Sequence, residues 1–437
     1  MTRTYKKINE LIDEISMGPF GSDIKVDYFV KQGVPVLNGS NIANVKLRDG
    51  FTNFVSYDRA KGYKKAVANR GDIVITHRGT LGQIAYIPDD SEFEEYVISQ
   101  SQFRVRLKSE LINPIYFAYY FHTNEGQKRL LSFKSHVGVP ALAQATTNFR
   151  LLDFPLRPKG EQDAIASVLE SIDRKVELNN RINVELEAMA KTLYDYWFVQ
   201  FDFPDANGKP YKASGGKMVY NDTLKREIPA GWSNGTLDNL GQIVGGSTPS
   251  TADKSNFSKQ GCAWITPNDL SGNIGNKFIS KGAMGVTAEG IKSASLKKYP
   301  AGTVLLSSRA PIGYMAIARN ALTTNQGFKS FIPSKGYPTE FVYFTVKNSL
   351  KAIIQYASGS TFKEVSGTVI KTVKLALPPN ELVEEFREKV EDLFKRQDTL
   401  EQENEQLIVL RDWLLPMLMN GQVTVKPSTE SKEAQHG

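Results

Sequence analysis

Residues 70–87 read RGDIVITHRGTLGQIAYI and residues 300–317 read PAGTVLLSSRAPIGYMAI. Overlaid with the second shifted by one residue, they align Gly71 with Gly302, Arg78 with Arg309 and Gly82 with Gly313. Both contain a β-branched, apolar run, DIVIT (72–76) and TVLLSS (303–308), followed by turn residues, which is the pattern of a buried strand entering a loop. Working outward, Lys31-Gln32-Gly33 before VPVLNGSNI matches Lys259-Gln260-Gly261 before CAWITPNDL, and VISQSQFRV (97–105) is similar to LTTNQGFKS (322–330), which would align Phe103 with Phe328. Gly138 pairs with Gly359 and Pro158 with Pro379. Four blocks in the same order mark an internal duplication of about 220 residues, a pattern to be read before any fold is assigned.

Charge follows the same repeat. The 437 residues carry 54 Lys+Arg against 47 Asp+Glu, net +7. Residues 1–160 hold 22 basic and 16 acidic side chains, 161–200 hold 4 and 8, 201–379 hold 21 and 10, and 380–419 hold 5 and 11. Basic blocks therefore alternate with short acidic ones. The acidic blocks have helical periodicity. Ile165, Val168, Ile172, Ile182, Leu186, Met189, Leu193 and Tyr196 fall at spacings of three and four, with Lys175 and Asn179 at polar steps, and Phe386, Leu393, Leu400, Leu407 and Leu414 recur every seven residues. Such heptads predict coiled-coil helices of about 40 residues, roughly 60 Å long. Asn179 and Lys175 would fix their register. The basic blocks, rich in Gly, Ser, Thr and Asn with short strands and occasional helices such as 114–123 and 339–350, read as α+β domains.

The expected organisation is an α+β fold: domain one over 1–158, a central helix 159–200, a linker 201–231, domain two over 232–379, a distal helix 380–425 and a disordered tail 426–437. No stretch is apolar enough to span a bilayer, and the polar start MTRTYKKINELIDE does not resemble a secretory leader. Together with the lone Cys262, which makes no intrachain disulfide, this points to a cytoplasmic protein.

A search for catalytic chemistry returns little. His77, His122, His136 and His436 lack metal-ligand spacing. Gly215-Gly216-Lys217 is followed by Met218 where a phosphate loop needs Ser or Thr. Asn113-Pro114-Ile115-Tyr116 departs from the N-P-P-Y of adenine methyltransferases and reads instead as a helix start. Asp89-Asp90 has no partner in the second copy. The chain reads as a binder with no catalytic residue, no metal site and no cofactor of its own. The basic blocks do carry the side chains that contact DNA phosphates and base edges. Arg78 and Arg309 lead the candidates, each placed after a strand and before a glycine turn. Asn38, Ser40 and Asn41 align with Thr266, Asn268 and Asp269. Gln100, Gln102 and Arg104 align approximately with the region of Gln326 and Lys329, and His136 lies where the second copy has Ser360, Thr361 and then Lys363.

With these residues in view, the chain resembles the specificity subunit of type I restriction-modification systems. The most specific match is YDYWFVQFDFPDANGKPYKASGGKMVYNDTLKREIPAGW (194–232), similar to that family's central conserved region. LRDWLLPMLMNGQV (410–423) resembles its distal helix end, and GPFGS (18–22), which adds Ser22 to the DNA candidates, resembles a recognition-domain loop, replaced in the second copy by GGSTPS (245–250). The resemblance implies two tandem target recognition domains joined by two long antiparallel coiled-coil helices. Each domain would read half of a bipartite, asymmetric site in double-stranded DNA, with the helices setting the spacer. It implies two methyltransferase subunits carrying S-adenosylmethionine, and motor-nuclease subunits using ATP and Mg. Tyr194, Trp197, Phe198, Trp413 and Met417 are candidates for docking the methyltransferases, or else pack against the chain's own domains. The alternatives are a two-headed DNA-binding regulator or architectural protein, and a self-contained methyltransferase or nuclease, which the missing motifs disfavour.

Overall fold

A computed structural model describes residues 4–19, 23–135, 140–309, 311–357 and 364–425. The tail expected to be disordered, 426–437, lies outside them. The chain divides into two compact units, Met1–Lys175 with Gln406–Gly437, and Val176–Glu405.

The first unit is built on a four-stranded antiparallel sheet of β1 (Ile12–Met17), β2 (Ile73–Thr76), β3 (Ile84–Tyr86) and β4 (Gln102–Leu107), in the order β1-β4-β2-β3. Alternation sends Ile73, Ile75, Ile84, Phe103 and Val105 to one face and Val74 and Ala85 to the other. The first face is covered by α1 (Pro114–Phe121), whose Tyr116, Phe117, Tyr120 and Phe121 surround Phe154. Pro114 occupies the first turn, and Asn113 Oδ1 caps it by accepting from the Ile115 and Tyr116 N–H groups at 2.9 and 3.0 Å. Those bonds account for the Asn-Pro-Ile-Tyr tetrapeptide as a helix start.

The second unit repeats the plan. Its strands β5 (Gly241–Gly245), β6 (Phe278–Ile279), β7 (Val304–Leu306), β8 (Met315–Ala318) and β9 (Lys329–Pro333) lie in the order β5-β9-β7-β8-β6. The helix α3 (Thr339–Gln355) supplies Phe341, Phe344 and Val346 to the covered face. Gly71 and Gly302, aligned in sequence, have φ of 84° and 83°, and Gly82 and Gly313 have 81° and 102°. These left-handed turns explain why glycine stands at both places in both copies.

The ladders correct one alignment. Ile73 pairs with Val105 and Gln102 with Thr76, while Val304 pairs with Phe331 and Ser307 bridges Phe328. Phe328 is thus the equivalent of Gln102, and Lys329 of Phe103. Phe103 and Phe328 accordingly lie in cores on opposite sheet faces. A one-residue slip exchanges the faces of a strand, and the similar letters at 103 and 328 concealed it.

Two long helices complete each unit: α2 (Lys159–Tyr194) and α4 (Asn380–Asn420). Within the first unit they run antiparallel, with Arg157 donating to the Met419 carbonyl at 3.1 Å and Arg411 pairing with Asp173 at 2.7 Å. Within the second, Asn179 Nδ2 donates to Asn404 Oδ1 at 2.9 Å, and Gln397 Nε2 donates to the Asn183 carbonyl at 3.0 Å. The buried line of α2 runs through Gln162, Ile165, Leu169, Ile172, Asn179, Asn183 and Ala190. Met189 and Tyr196, expected on it, are exposed. The expected line on α4 has a neighbour, Val383, Val390, Gln397, Asn404, Arg411 and Leu418, of which only Arg411 is not buried. Mid-helix polar residues thus occupy seam positions, where they set register at some cost in stability. Lys175 is half-buried.

Each sheet is anchored to the helices of its own unit by polar groups. In the first, Tyr119 and Tyr86 hydroxyls donate to Asp173 (2.5 Å) and Glu170 (3.1 Å). In the second, the anchor is ionic. Buried Lys277 reaches Gln397 at 2.5 Å and Glu187 at 2.6 Å, and lies 3.5 Å from the centre of the Phe394 ring. The backbone N–H groups of Lys277 and Phe278 donate to Glu401 at 2.7 and 3.0 Å, and Arg319 pairs with Asp398, Glu401 and Glu405. Burial pushes Lys277 down to about 8 despite Glu187. It pushes Glu401 up to about 7, against the pull of those two N–H groups and Arg319. Residues 201–231, expected as a linker, fold onto the second unit. Phe201 and Ile228 enter its core, Phe203 stacks on Trp232, and Met218–Asn221 pairs with Arg226–Pro229. A turn of π-helix, Asp195–Val199, precedes them.

Two predictions follow from these anchors. Replacing Asn404 by Ala removes the partner of Asn179 and Asn180 and should cost about 1–3 kcal/mol in denaturant unfolding, whereas leucine at both 179 and 404 should restore most of the loss. Glu401 binds its proton more tightly folded than unfolded, so its contribution to stability is greatest below its ordinary pKa of 4.5 and is lost as pH rises toward 7. The difference in melting temperature between Glu401→Gln and the parent should therefore grow in the variant's favour from pH 5 to pH 7. A difference independent of pH would contradict this.

Candidate nucleic-acid interface

At one end of the first sheet three segments meet. After β2 the chain continues as His77-Arg78 into a turn at Gly79 and Gly82, both with positive φ. The His77 N–H donates to the Ser101 carbonyl (2.8 Å), Leu142 N–H to the His77 carbonyl (2.8 Å), and Arg78 is bridged to Ala141. Gly18, following β1, donates to the Gln102 carbonyl at 2.9 Å. A Cβ on Gly18 would lie 2.0 Å from the Ser99 carbonyl oxygen, so only glycine fits. Arg78 and Gln100 are exposed there. His77 is buried, its Nε2 3.1 Å from the Gln100 carbonyl oxygen, and burial and then Arg78 depress its pKa.

The second unit builds the same junction. Ser308 N–H donates to the Gly327 carbonyl (2.8 Å), Val365 N–H to the Ser308 carbonyl (2.9 Å), and Arg309 is bridged to Glu364. A Cβ on Gly246 would lie 2.2 Å from the carbonyl oxygens of Thr324 and Asn325. Gly246 therefore matches Gly18, and GGSTPS takes the place of GPFGS for the same steric reason. Arg309 and Gln326 are exposed, Lys329 half-buried, and the Thr248 hydroxyl bonds to Gln326. Thus Arg78 and Arg309 occupy equivalent positions, as do Gln100 and Gln326.

Other expected contacts are internal. Gln102 is fully buried, its Oε1 accepting from the Ser99 N–H. Arg104 is 3% exposed, bound to the Lys65 carbonyl, Asp72 and Glu14. Asn41 is 1% exposed, accepting from the Asn38 N–H and donating to the Arg48 carbonyl. These three are corrected to structural roles, because each side chain is buried and hydrogen-bonded within its own unit, though Gln102 Nε2 is left without a partner. Thr266 and Asp269 form the capping box of the helix Pro267–Gly272, which commits Thr266 to the fold. Asn38 holds the Ser40 N–H and hydroxyl (2.8 and 2.6 Å), leaving Ser40 and Asn268 as the exposed members of this pair of loops. Ser22, His136, Ser360, Thr361 and Lys363 lie outside the described residues.

Tyr194, Trp197 and Phe198 are also corrected. They are 3–6% exposed, packed with Phe341, Phe344 and Phe386 of their own unit. Of the two readings the sequence left open for them, packing against the chain's own domain is the one observed, with α3 covering Tyr194 and Phe198. Trp413 is 54% exposed beside exposed Val409 and Leu410, and Met417 is half-buried.

Sequence reading missed a cavity of about 1190 Å³ beside the first junction, lined by Met17, Tyr28, Arg59, Lys65, Arg78 and Gln100 among others. The Arg59 guanidinium sits 3.3 Å over the Tyr28 ring. The signal was the aromatic and basic run YDRAKGYKK (57–65). It also missed Glu364. Among the described residues no group of three or more His, Cys, Asp or Glu is placed to hold a metal, and no helix is long and apolar enough to cross a membrane.

The geometry separates two arginines. Arg78→Ala should weaken binding to duplex DNA while moving stability by no more than about 0.5 kcal/mol. Arg104→Ala should destabilise by about 2–3 kcal/mol, since it strips a buried guanidinium from its carboxylates. Unchanged DNA affinity with a lowered melting temperature for Arg78→Ala would contradict the assignment.

Comparison with known proteins finds the same duplication. The family described as the type I restriction modification DNA specificity domain matches residues 21–188 and again 229–408. The chain is 41% identical over 166 residues to the type I restriction enzyme MjaIX specificity subunit of Methanocaldococcus jannaschii, covering 37% of this chain and 38% of that one. It is 24% identical over 464 residues to the HindI specificity subunit of Haemophilus influenzae, covering 94% and 99%. The solved S subunit of a type I restriction-modification system from M. genitalium shares the fold, with a TM-score of 0.57 at 14% identity over 95% of this chain and 96% of that one. Two matched domains spanning most of the sequence place the chain in the family of type I restriction-modification specificity subunits, which recognise DNA sequence and are not catalytic.

Proposed function

We propose that each unit reads one half of a bipartite, asymmetric DNA site, and that the paired helices set the spacer and carry two methyltransferase subunits. The observation that carries this reading is the repeated strand-end junction. It presents an exposed arginine at the same place in both units, amid side chains that differ, as two different half-sites require. Basic side chains around it supply salt-dependent affinity through phosphates, and each good bidentate base contact contributes about 1–3 kcal/mol of discrimination. Arg78, Gln100, Ser40, Arg309, Gln326, Asn268 and Lys329 form the contact set, with Ser22, His136, Ser360, Thr361 and Lys363 as further members. Arg59 and Lys65 extend the first surface. Trp413 and Met417, with Val409 and Leu410, offer an apolar patch for a methyltransferase. S-adenosylmethionine would be held by those partners, and ATP and Mg by motor-nuclease subunits, all in the cytoplasm.

Co-expression with the cognate methyltransferase subunit, followed by methylome sequencing, should show one bipartite adenine-methylated motif. Exchanging residues 1–155 for those of another family member should change one half of it only. Absence of any such motif, or a change in both halves, would refute this reading.

A further inference from the structure

The strand-end bridge opposite Arg309 is made by Glu364. Its carboxylate lies 3.0 Å from Arg309 Nε and 3.7 Å from Lys329 Nζ, so one anion serves two cations from separate segments. The equivalent bridge in the first unit joins Arg78 to Ala141, a residue without charge. A carboxylate on a surface that meets phosphates works against affinity, because it reduces the counterions that binding displaces. Stability does not account for it either. The Arg309 and Glu364 side chains are 45% and 37% exposed, and exposed pairs of this kind contribute little. What it supplies is orientation. A guanidinium is a rigid, planar fork of N–H donors. Held at Nε, it keeps the Nη1/Nη2 end as a bidentate pair, the geometry that matches guanine O6 and N7.

We propose that Glu364 is the positioning residue of the second recognition surface, holding Arg309 and Lys329 as a unit so that Arg309 reads a guanine edge rather than the phosphate backbone. The inference rests on the DNA-recognition reading above and adds an asymmetry to it. The second half-site depends on a carboxylate-held arginine and the first does not.

The test uses the full chain in complex with its methyltransferase subunits, comparing the parent with Glu364→Gln and Arg309→Ala. The parent's bipartite motif checks the recognition reading by itself, and a parent without one refutes that reading before any variant is considered. Given that motif, Glu364→Gln should make one G·C position degenerate in a single half-site, the same position whose identity Arg309→Ala abolishes. The other half-site should be read unchanged, which reports a folded complex. On duplexes differing only at that position, Glu364→Gln should lower discrimination roughly tenfold. It should also steepen the slope of log affinity against log salt by about one, an effect that loss of a merely structural contact would not produce. An unaltered motif for Glu364→Gln, or degeneracy in the half-site that Arg309→Ala leaves intact, overturns the proposal.

Discussion

Everything in each unit follows from the need to cover one face of a small sheet. Strands of two to six residues expose more apolar surface than they can bury among themselves, and one aromatic helix is too narrow to close it. The long helices finish the cover. In the first unit Ile165, Leu169, Leu415 and Leu418 join the core of Phe103, Phe117 and Phe154. In the second, Ala190, Tyr194, Trp197, Phe386 and Phe394 join that of Leu306, Phe331 and Phe344. Burial of this sort is the main favourable term in folding, so the helices are part of the recognition domains' cores and not merely connectors. The strand ends left beyond the cover are where backbone loops, glycines and exposed arginines gather.

That division explains how much of the molecule was legible. The duplication was plain because left-handed turns at Gly71 and Gly302, and the buried runs beside them, admit few residue types. The helices were plain from their period, but the burial line was not. Asn179 was placed on the seam as it is found, but Asn183 and Gln397 are polar residues in apolar positions, so a search for hydrophobic letters moved to Ile182 and Met189 instead. The slip at Phe103 and Phe328 has the same origin, since both residues are buried and only the ladder tells which face receives each.

The candidate interface was legible at Arg78 and Arg309, both exposed at matching strand ends, because a strand, a glycine turn and a repeat all converge there. It was misread at Arg104, Gln102 and Asn41, because residue type does not disclose whether a polar side chain faces water or is spent on an internal carbonyl. Glu364 gave no sign, since its role comes from pairing with residues 55 and 35 positions away. Tyr194, Trp197 and Phe198 were left open for a related reason: an apolar helical face declares that something covers it without declaring what.

The two units share a plan but differ in the chemistry of their anchors, tyrosine hydroxyls on Asp173 and Glu170 in one, Lys277 and Arg319 on a cluster of carboxylates in the other. This difference acts as a lock on inheritance. A domain copied from the other half of its own chain would set tyrosines against Glu187, Glu401 and Asp398 and strand those carboxylates without cations. The duplicated halves thus share a plan without being interchangeable on these helices.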